Sequence, residues 1–230
     1  MVAVNRPPAR ASLAGLYALT PDLDDTELLV ARVGAAIAGG ATAIQYRHKR
    51  AAAVLRLEQA RSLRQMCAAH GVTFIVNDDA DLALAVDAAG VHLGRDDMSI
   101  AAARARLGSA AIIGVSCYDS LDRAAAAVRE GADYIAFGSF FPSTVKPDAV
   151  RATPALLTVA KARWNVPVVA IGGITAARAA PLIAAGADAL AVISAVFAAP
   201  DVGAAARELA ACFAGHFAGQ LAIHDSGTQR

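Results

Sequence analysis

Eight short apolar runs punctuate the chain, and each is followed by an alanine-rich segment of helical character. Read as strands, the runs fall at residues 16–20, 43–47, 74–78, 90–94, 112–117, 134–139, 166–173 and 189–194. The segments between and after them predict helices at 24–38, 51–70, 79–87, 99–107, 119–130, 153–162, 175–185 and 202–213. The strand candidates are almost continuously apolar, which is how strands buried on both faces read. Each helix is long enough to carry the chain back across a sheet, as parallel strands require. Eight such units in one chain predict an α/β fold of the (β/α)8 TIM-barrel type. Alternation alone leaves a doubly wound open sheet as the other arrangement. The barrel is expected over residues 13–216 as a single domain. Residues 1–12 and 217–230 lack periodicity and are expected to be flexible tails.

Composition narrows what such a domain can do. With 230 residues, 57% hydrophobic and 18% charged, the chain is too apolar to be disordered. Its net charge of +1 supplies no bulk field for nucleic acid or an anionic membrane. Mean hydropathy is +0.46, and the most apolar stretch is 179–199. That stretch holds Gly186 and Asp188. A mid-span Asp costs about 2.5–3.5 kcal/mol on insertion, so a helix followed by a buried strand is expected there rather than a membrane span. Cys67, Cys117 and Cys212 are far apart and form no Cys-x-x-Cys pair. This predicts a reducing, cytoplasmic setting and no zinc site. No apolar export signal follows the first residues.

Polar residues cluster where the apolar runs end. Gln45, Arg47 and Lys49 close the second run, Asn77, Asp78 and Asp79 the third, and Arg95, Asp96 and Asp97 the fourth. Ser116 ends the fifth, Lys146 lies in the loop after the sixth, Gly172 and Gly173 end the seventh, and Ser194 ends the eighth. In a barrel these loops share one rim, where barrel enzymes carry their chemistry. Alternation along a strand turns Gln45, Arg47 and Lys49 to one side. Arg47 and Lys49 then suit a polyanion, as a fork and a point charge, although a solvated strand end carries the same residues. Asp78 and Asp97 end neighbouring strands about 4.8 Å apart, close enough to share one cation. Magnesium favours one or two carboxylates completed by water and substrate phosphate. Helix capping is the other use of these residues, with Asp79 opening one helix and Asp96 or Asp97 preceding Ser99, itself a plausible cap, but one cap per helix leaves at least one carboxylate over at each strand end.

The glycine pair before Ile174 and Thr175 allows close approach of an anion to backbone amides at a helix start. Ile193 and Ser194 would supply the other half of a phosphate cradle, since loops seven and eight are the usual phosphate site of such barrels. Glycines that merely turn the chain would read the same way. Lys146 suits either a phosphate contact or a Schiff-base nucleophile. Its loop, rich in proline and hydroxyls, is long enough for a lid. His92 sits mid-strand and reads as a hydrogen-bonded core histidine. Trp164 and Cys117 read as packing.

Taken together, Tyr17 to Asp22, Gln45 to Lys49, Val76 to Ala83 and Gly90 to Asp97 resemble the thiamine phosphate synthase family. The resemblance continues through Ile113 to Ser116, Ala132 to Gly138, the 141–146 loop, Ile171 to Ile174 and Val192 to Ala195. It implies a (β/α)8 enzyme that couples hydroxymethylpyrimidine diphosphate with hydroxyethylthiazole phosphate, or its carboxylated form, releasing diphosphate. By that resemblance Asp78 and Asp97 would hold Mg2+. Arg47, Lys49, Asn77, Ser116 and Lys146 would surround the diphosphate, and Gln45 would meet the pyrimidine. Ser143, Gly173, Ile193 and Ser194 would contact the thiazole phosphate. Its partners would be these small phosphorylated molecules, with homo-oligomerisation left open. Ser139, Ser143 and Val145 stand where the family loop commonly carries proline, threonine and threonine, and Tyr118 where histidine is common. Val145 brings no hydroxyl, and a hydrogen bond to a charged group is worth about 1.5–3 kcal/mol. Other readings are a thiazole phosphate tautomerase, a phosphate-binding regulator of the same fold, or a Schiff-base aldolase using Lys146. The full set Arg47, Lys49, Asn77, Asp78, Asp97 and Lys146 favours the synthase over the tautomerase. The Asp pair with the Gln-x-Arg-x-Lys run counts against the aldolase, and the tails carry no basic or helix-turn-helix segment for a DNA-binding regulator.

Overall fold

The first and last strands pair with each other, which decides between the two expected arrangements. β1 (Gly15–Leu19) pairs in parallel with β8 (Ala189–Val192), placing Tyr17 beside Ala191. Between them run β2 (Ala41–Tyr46), β3 (Thr73–Asn77), β4 (Gly90–Leu93), β5 (Ile112–Tyr118), β6 (Tyr134–Phe137) and β7 (Val168–Ile171). Each pairs with its sequence neighbour, and the sheet closes as an eight-stranded parallel barrel. The open sheet is thereby excluded. The structure, a computed structural model, describes residues 13–142 and 151–225, with side chains as far as residue 214.

The helices are α1 (Thr26–Ala38), α2 (Ala53–Ala69), α3 (Ala80–Ala85), α4 (Ile100–Leu107), α5 (Leu121–Arg129), α6 (Pro154–Arg163) and α7 (Ala176–Ala184). A single turn, α8 (Ser194–Phe197), precedes α9 (Val202–Asp225). Several helices start on a side chain that satisfies an otherwise unpaired amide. Asp25, Asp79, Ser99 and Ser120 accept from the backbone N–H groups of Leu28, Leu82, Ala102 and Arg123. Two differences from expectation stand out. No separate signal for α8 stands in the sequence. α9 continues through residues 217–225, where a tail was expected; Phe213, Phe217 and Leu221 recur at the four-residue spacing of a helix, a period the expectation passed over.

Closure creates two apolar layers. Leu16, Ala18, Ile44, Val76, Leu93, Ile113 and Ile135 face outward and are covered by the helices. Tyr17, Leu19, Ala43, Ile75, Ile112, Tyr134, Val169 and Ala191 fill the barrel itself. This double burial is why the strands read as continuous apolar runs. At the bottom of the barrel one device occurs twice. Gly131, Ala132 and Asp133 precede β6, and Gly186, Ala187 and Asp188 precede β8. Asp133 accepts from Ile113 N (2.8 Å) and Arg104 Nη2 (2.6 Å). Asp188 accepts from Val168 N (2.7 Å) and Lys161 Nζ (2.9 Å). Each carboxylate thus pins the start of the preceding strand to a helix. Among the described residues no helix is long and apolar enough to cross a membrane.

Candidate active site

The C-terminal ends of the strands open onto a cavity of about 1120 Å³. Gln45, Arg47, Lys49, Asn77, Asp78, Asp97, Ser116, Gly173, Ile193 and Ser194 all line it. Lys146 and Ser143 lie outside the described residues, as does Val145. Leu19, Ala136, Val169 and Ala191 supply an apolar floor. A side recess of about 220 Å³ runs between the β2 and β3 ends, where Arg56 joins Arg47 and Lys49.

The β2 end is held from β1. Thr20 and Arg47 exchange hydrogen bonds, with Thr20 Oγ1 donating to Arg47 O (3.0 Å) and accepting from Arg47 N (2.8 Å). Asp22 Oδ1 accepts from Arg47 Nη1 (3.2 Å) and from the Lys49 amide (3.0 Å). The buried His48 between them pairs with Asp24 through Nε2 (2.9 Å) and accepts from Ala51 N through Nδ1 (3.1 Å). The cations of this run therefore sit on a braced loop rather than a freely solvated one. Asp22 was not singled out on physical grounds from the sequence, because a carboxylate after a proline gives no sign of what it holds.

The acidic pairs divide their work as helix capping requires. Asp79 caps α3 and meets Arg56 Nη1 at 3.2 Å. Asp78, at φ +63°, turns away from that task. Such a conformation is uncommon outside glycine and is tolerated best by Asp and Asn. After β4 the cap is Ser99, leaving Asp97 to accept from Gly94 N at 2.5 Å. The Asp78 and Asp97 carboxyls come within hydrogen-bonding reach of each other. Burial first, and then Asp97, push the Asp78 carboxyl up to about 6, while Lys49, 4.0 Å away, pulls the other way. Two hard oxygen donors forced together beside a cavity lined with cations make a site that a divalent ion would relieve. Among the described residues no cluster of three or more potential ligands forms, so water and substrate oxygens would complete such an ion's shell.

Ser116 is aimed by an irregularity. The β5–β6 register shifts between Ser116 and Tyr118, and Tyr118 takes a φ of +56°. Bulges of this kind redirect side chains beside active sites. Arg123 fixes the bend by donating from Nε to Ser116 O (2.7 Å) and from Nη2 to Gly94 O (3.2 Å). Tyr118 lies between the Arg95 and Arg123 guanidinium groups, 4.8 and 5.6 Å from its ring centre.

On the opposite side of the rim, Gly172 and Gly173 adopt φ of +106° and +64°. A Cβ at Gly173 would lie 2.3 Å from Pro142 O, and one at Gly172 would lie 2.1 Å from Ser139 Oγ. The glycines thus seat the start of the loop after β6 as well as baring the start of α7. Thr175 makes no side-chain cap there, so the start of α7 beside the cavity has no side chain committed to its amides. Arg178 donates to Gly173 O (3.1 Å), stacks over Phe141 at 5.0 Å and lines the same cavity. Neither Arg178 nor Arg123 was legible as a site residue, because a single cation in a helical first turn resembles any surface residue.

The chain is similar to known proteins over most of its length. Residues 16–196 match the family model described as thiamine monophosphate synthase. A thiamine-phosphate synthase from Thiobacillus denitrificans is 58% identical over 200 residues, covering 87% of this chain and 95% of that protein. One from Thioalkalivibrio sulfidiphilus is 55% identical over 202 residues, covering 87% and 96%. The solved thiamine phosphate pyrophosphorylase from Pyrococcus furiosus superposes with a TM-score of 0.79 at 40% identity, covering 88% of this chain and 96% of that one.

Proposed function

The chain belongs to the thiamine monophosphate synthase family of transferases, and from that premise we propose which of its groups perform the coupling. The observation that carries the assignment is the division of one cavity. Cations, the carboxylate pair and Ser116 come from β2 to β5, and the glycine turn, Ile193 and Ser194 come from β7 and β8 across the barrel.

Arg47, Lys49, Asn77 and Ser116, with Lys146 from the loop after β6, receive the pyrimidine's diphosphate. Gln45 meets the pyrimidine ring over the apolar floor. The α7 amides, Gly173, Ile193 and Ser194, with Ser143, hold the thiazole phosphate, and Arg178 adds a cation at that end. Asp78 and Asp97 would hold Mg2+, which supplies positive charge against the diphosphate oxygens when bound. The C–O bond to the diphosphate breaks heterolytically, and its electron pair leaves with the diphosphate. The aminopyrimidine ring spreads the resulting positive charge. The thiazole nitrogen lone pair then forms the new C–N bond. Arg47, Lys49 and Ser116 stabilise the charge that grows on the leaving oxygen, and the apolar floor keeps water from the cation. That nitrogen carries no proton to remove, so no general base is needed. Positioning of two bound substrates supplies much of the rate. The free thiols of Cys67, Cys117 and Cys212 support a cytoplasmic setting.

Binding of the pyrimidine diphosphate, followed by calorimetry across a magnesium titration, tests the metal and diphosphate assignment. In the parent chain affinity should rise with magnesium. In Asp97→Asn the magnesium dependence should weaken by about tenfold or more. An unchanged dependence would remove Asp97 from the metal site.

A further inference from the structure

Five strands contribute to a polar thread inside the barrel that the roles above leave unexplained. Gln45 Nε2 donates to Tyr17 OH at 2.7 Å. The Tyr17 and Tyr134 hydroxyls meet at 3.0 Å. Tyr134 OH lies 2.9 Å from His92 Nδ1, and His92 Nε2 lies 2.8 Å from Ser116 Oγ. Tyr17 and Tyr134 are fully buried, and His92 is 8% exposed. The rings are locked by contact as well. Tyr17 meets Tyr134 edge-on at 6.2 Å, and His92 stacks on Tyr134 at 5.5 Å. Burial pushes both phenols well above their usual range, so they act as neutral hydroxyls throughout the working pH range.

Each hydroxyl has one proton to give, and this sets a direction. The Gln45 amide N–H donates to Tyr17, so Tyr17 passes its own proton toward Tyr134. Tyr134 then donates to His92 Nδ1. In a neutral ring His92 then carries its proton on Nε2 and donates it to Ser116. The Ser116 proton is left to face the cavity, at one end of the thread. At the other end Gln45 lines the cavity with its Nε2 committed to Tyr17, which leaves Oε1 as the acceptor it can offer. The reverse order requires the Gln45 amide to turn over. It would also commit the Ser116 proton to His92, leaving an oxygen lone pair toward a diphosphate.

We propose that Tyr17, Tyr134 and His92 are positioning and specificity-determining residues. Their polarised hydrogen-bond chain makes Gln45 demand an N–H donor on the pyrimidine and makes Ser116 a donor to the diphosphate. The proposal rests on the reading above, in which Gln45 meets the pyrimidine and Ser116 the diphosphate. Its distinctive consequence is that recognition of the ring's amino group and donation to the leaving group are linked through the barrel. A pyrimidine diphosphate with an oxo group in place of the amino group would pull the whole chain into the wrong order.

The test compares steady-state turnover of the amino substrate and its oxo analogue in the parent chain, Tyr134→Phe and Tyr17→Phe. Intrinsic reactivity of the two pyrimidines cancels when the amino-to-oxo ratio of kcat/KM is compared between proteins. Tyr134→Phe should lower kcat for the amino substrate about tenfold and leave the thiazole phosphate KM unchanged. It should shrink the amino-to-oxo ratio at least about fivefold, because a severed chain lets Gln45 turn over. In a Ser116→Ala background the same substitution should cost less than about twofold. Tyr17→Phe should shrink the ratio too, and it serves if Tyr134→Phe folds poorly. An unchanged ratio in both variants, or a full tenfold loss in the Ser116→Ala background, would overturn the chain while leaving the site reading intact. If Gln45→Ala and Ser116→Ala leave pyrimidine KM and kcat unchanged, the site reading fails and the chain proposal falls with it.

Discussion

Replacing Gly114 with alanine should destabilise the chain by about 3–5 kcal/mol. The size follows from one ring. A Cβ at Gly114 would lie 1.9 Å from Tyr134 Cζ and 2.4 Å from its hydroxyl oxygen. The ring has nowhere to go, since His92 stacks on one face and the Tyr17 edge closes another side. Overpacking a core costs about 1–3 kcal/mol. Displacing the hydroxyl deprives Tyr17 and His92 of one partner each, at about 1 kcal/mol apiece, the low end of the range because Tyr17 keeps Gln45 and His92 keeps Ser116. For a domain of this size the loss corresponds to a drop in Tm of roughly 6–20 °C. Urea unfolding and thermal melts of Gly114→Ala, Tyr134→Leu and the double variant provide the assay. The double variant should be more stable than the sum of the single losses predicts by at least about 1.5 kcal/mol, because the smaller side chain vacates the space the methyl needs. A Gly114→Ala loss under about 1 kcal/mol, or additive losses, would refute the packing argument.

Asp133→Ala should cost about 2–4 kcal/mol, read by urea unfolding, while kcat and both KM values stay within about twofold, since the Arg104 pair lies at the opposite end of the barrel from the rim. Asp78→Asn should keep the fold, because asparagine accepts the positive φ, yet lower kcat by about a hundredfold or more and shift the magnesium titration upward; an unchanged titration would count against the metal role. Arg178→Met should raise the thiazole phosphate KM about tenfold with little change in the pyrimidine KM, in steady-state assays varying each substrate in turn; equal effects on both would remove it from the phosphate end. Thiol titration of the native chain with a disulfide reagent near pH 8 should modify Cys212 first. Burial pushes the Cys67 and Cys117 thiols up to about 12, so they should react only on unfolding.

The strands were legible because closure buries both faces, and every strand lies within two residues of its expected bounds. Barrel closure was expected from the count of eight units and from the family resemblance, and the β1–β8 pairing bears it out, although alternation alone is shared with an open sheet. At the rim, capping logic accounted for Asp79 but did not separate Asp96 from Asp97, because Ser99 also suits a cap. Asp79 and Ser99 take the helix starts, and Asp78 and Asp97 are left facing each other. What stayed hidden was connection between distant residues. His92 read as a hydrogen-bonded core histidine without a named partner, and Tyr17 and Tyr134 only as strand residues, because a sequence does not show which buried hydroxyl meets which nitrogen. Their one local trace is the small residue opposite each tyrosine, with Ala191 paired to Tyr17 and Gly114 to Tyr134.

The central claim is that this rim expels diphosphate from one bound substrate onto a second, aided by a divalent ion. Diphosphate release from the purified chain, given the pyrimidine diphosphate, the thiazole phosphate and magnesium and then with each omitted in turn, tests it most directly. The account predicts release only with all three present, with thiamine phosphate appearing in equal amount. Release that continues without the thiazole phosphate at the full rate, or thiazole phosphate bound with no release at all, would contradict it.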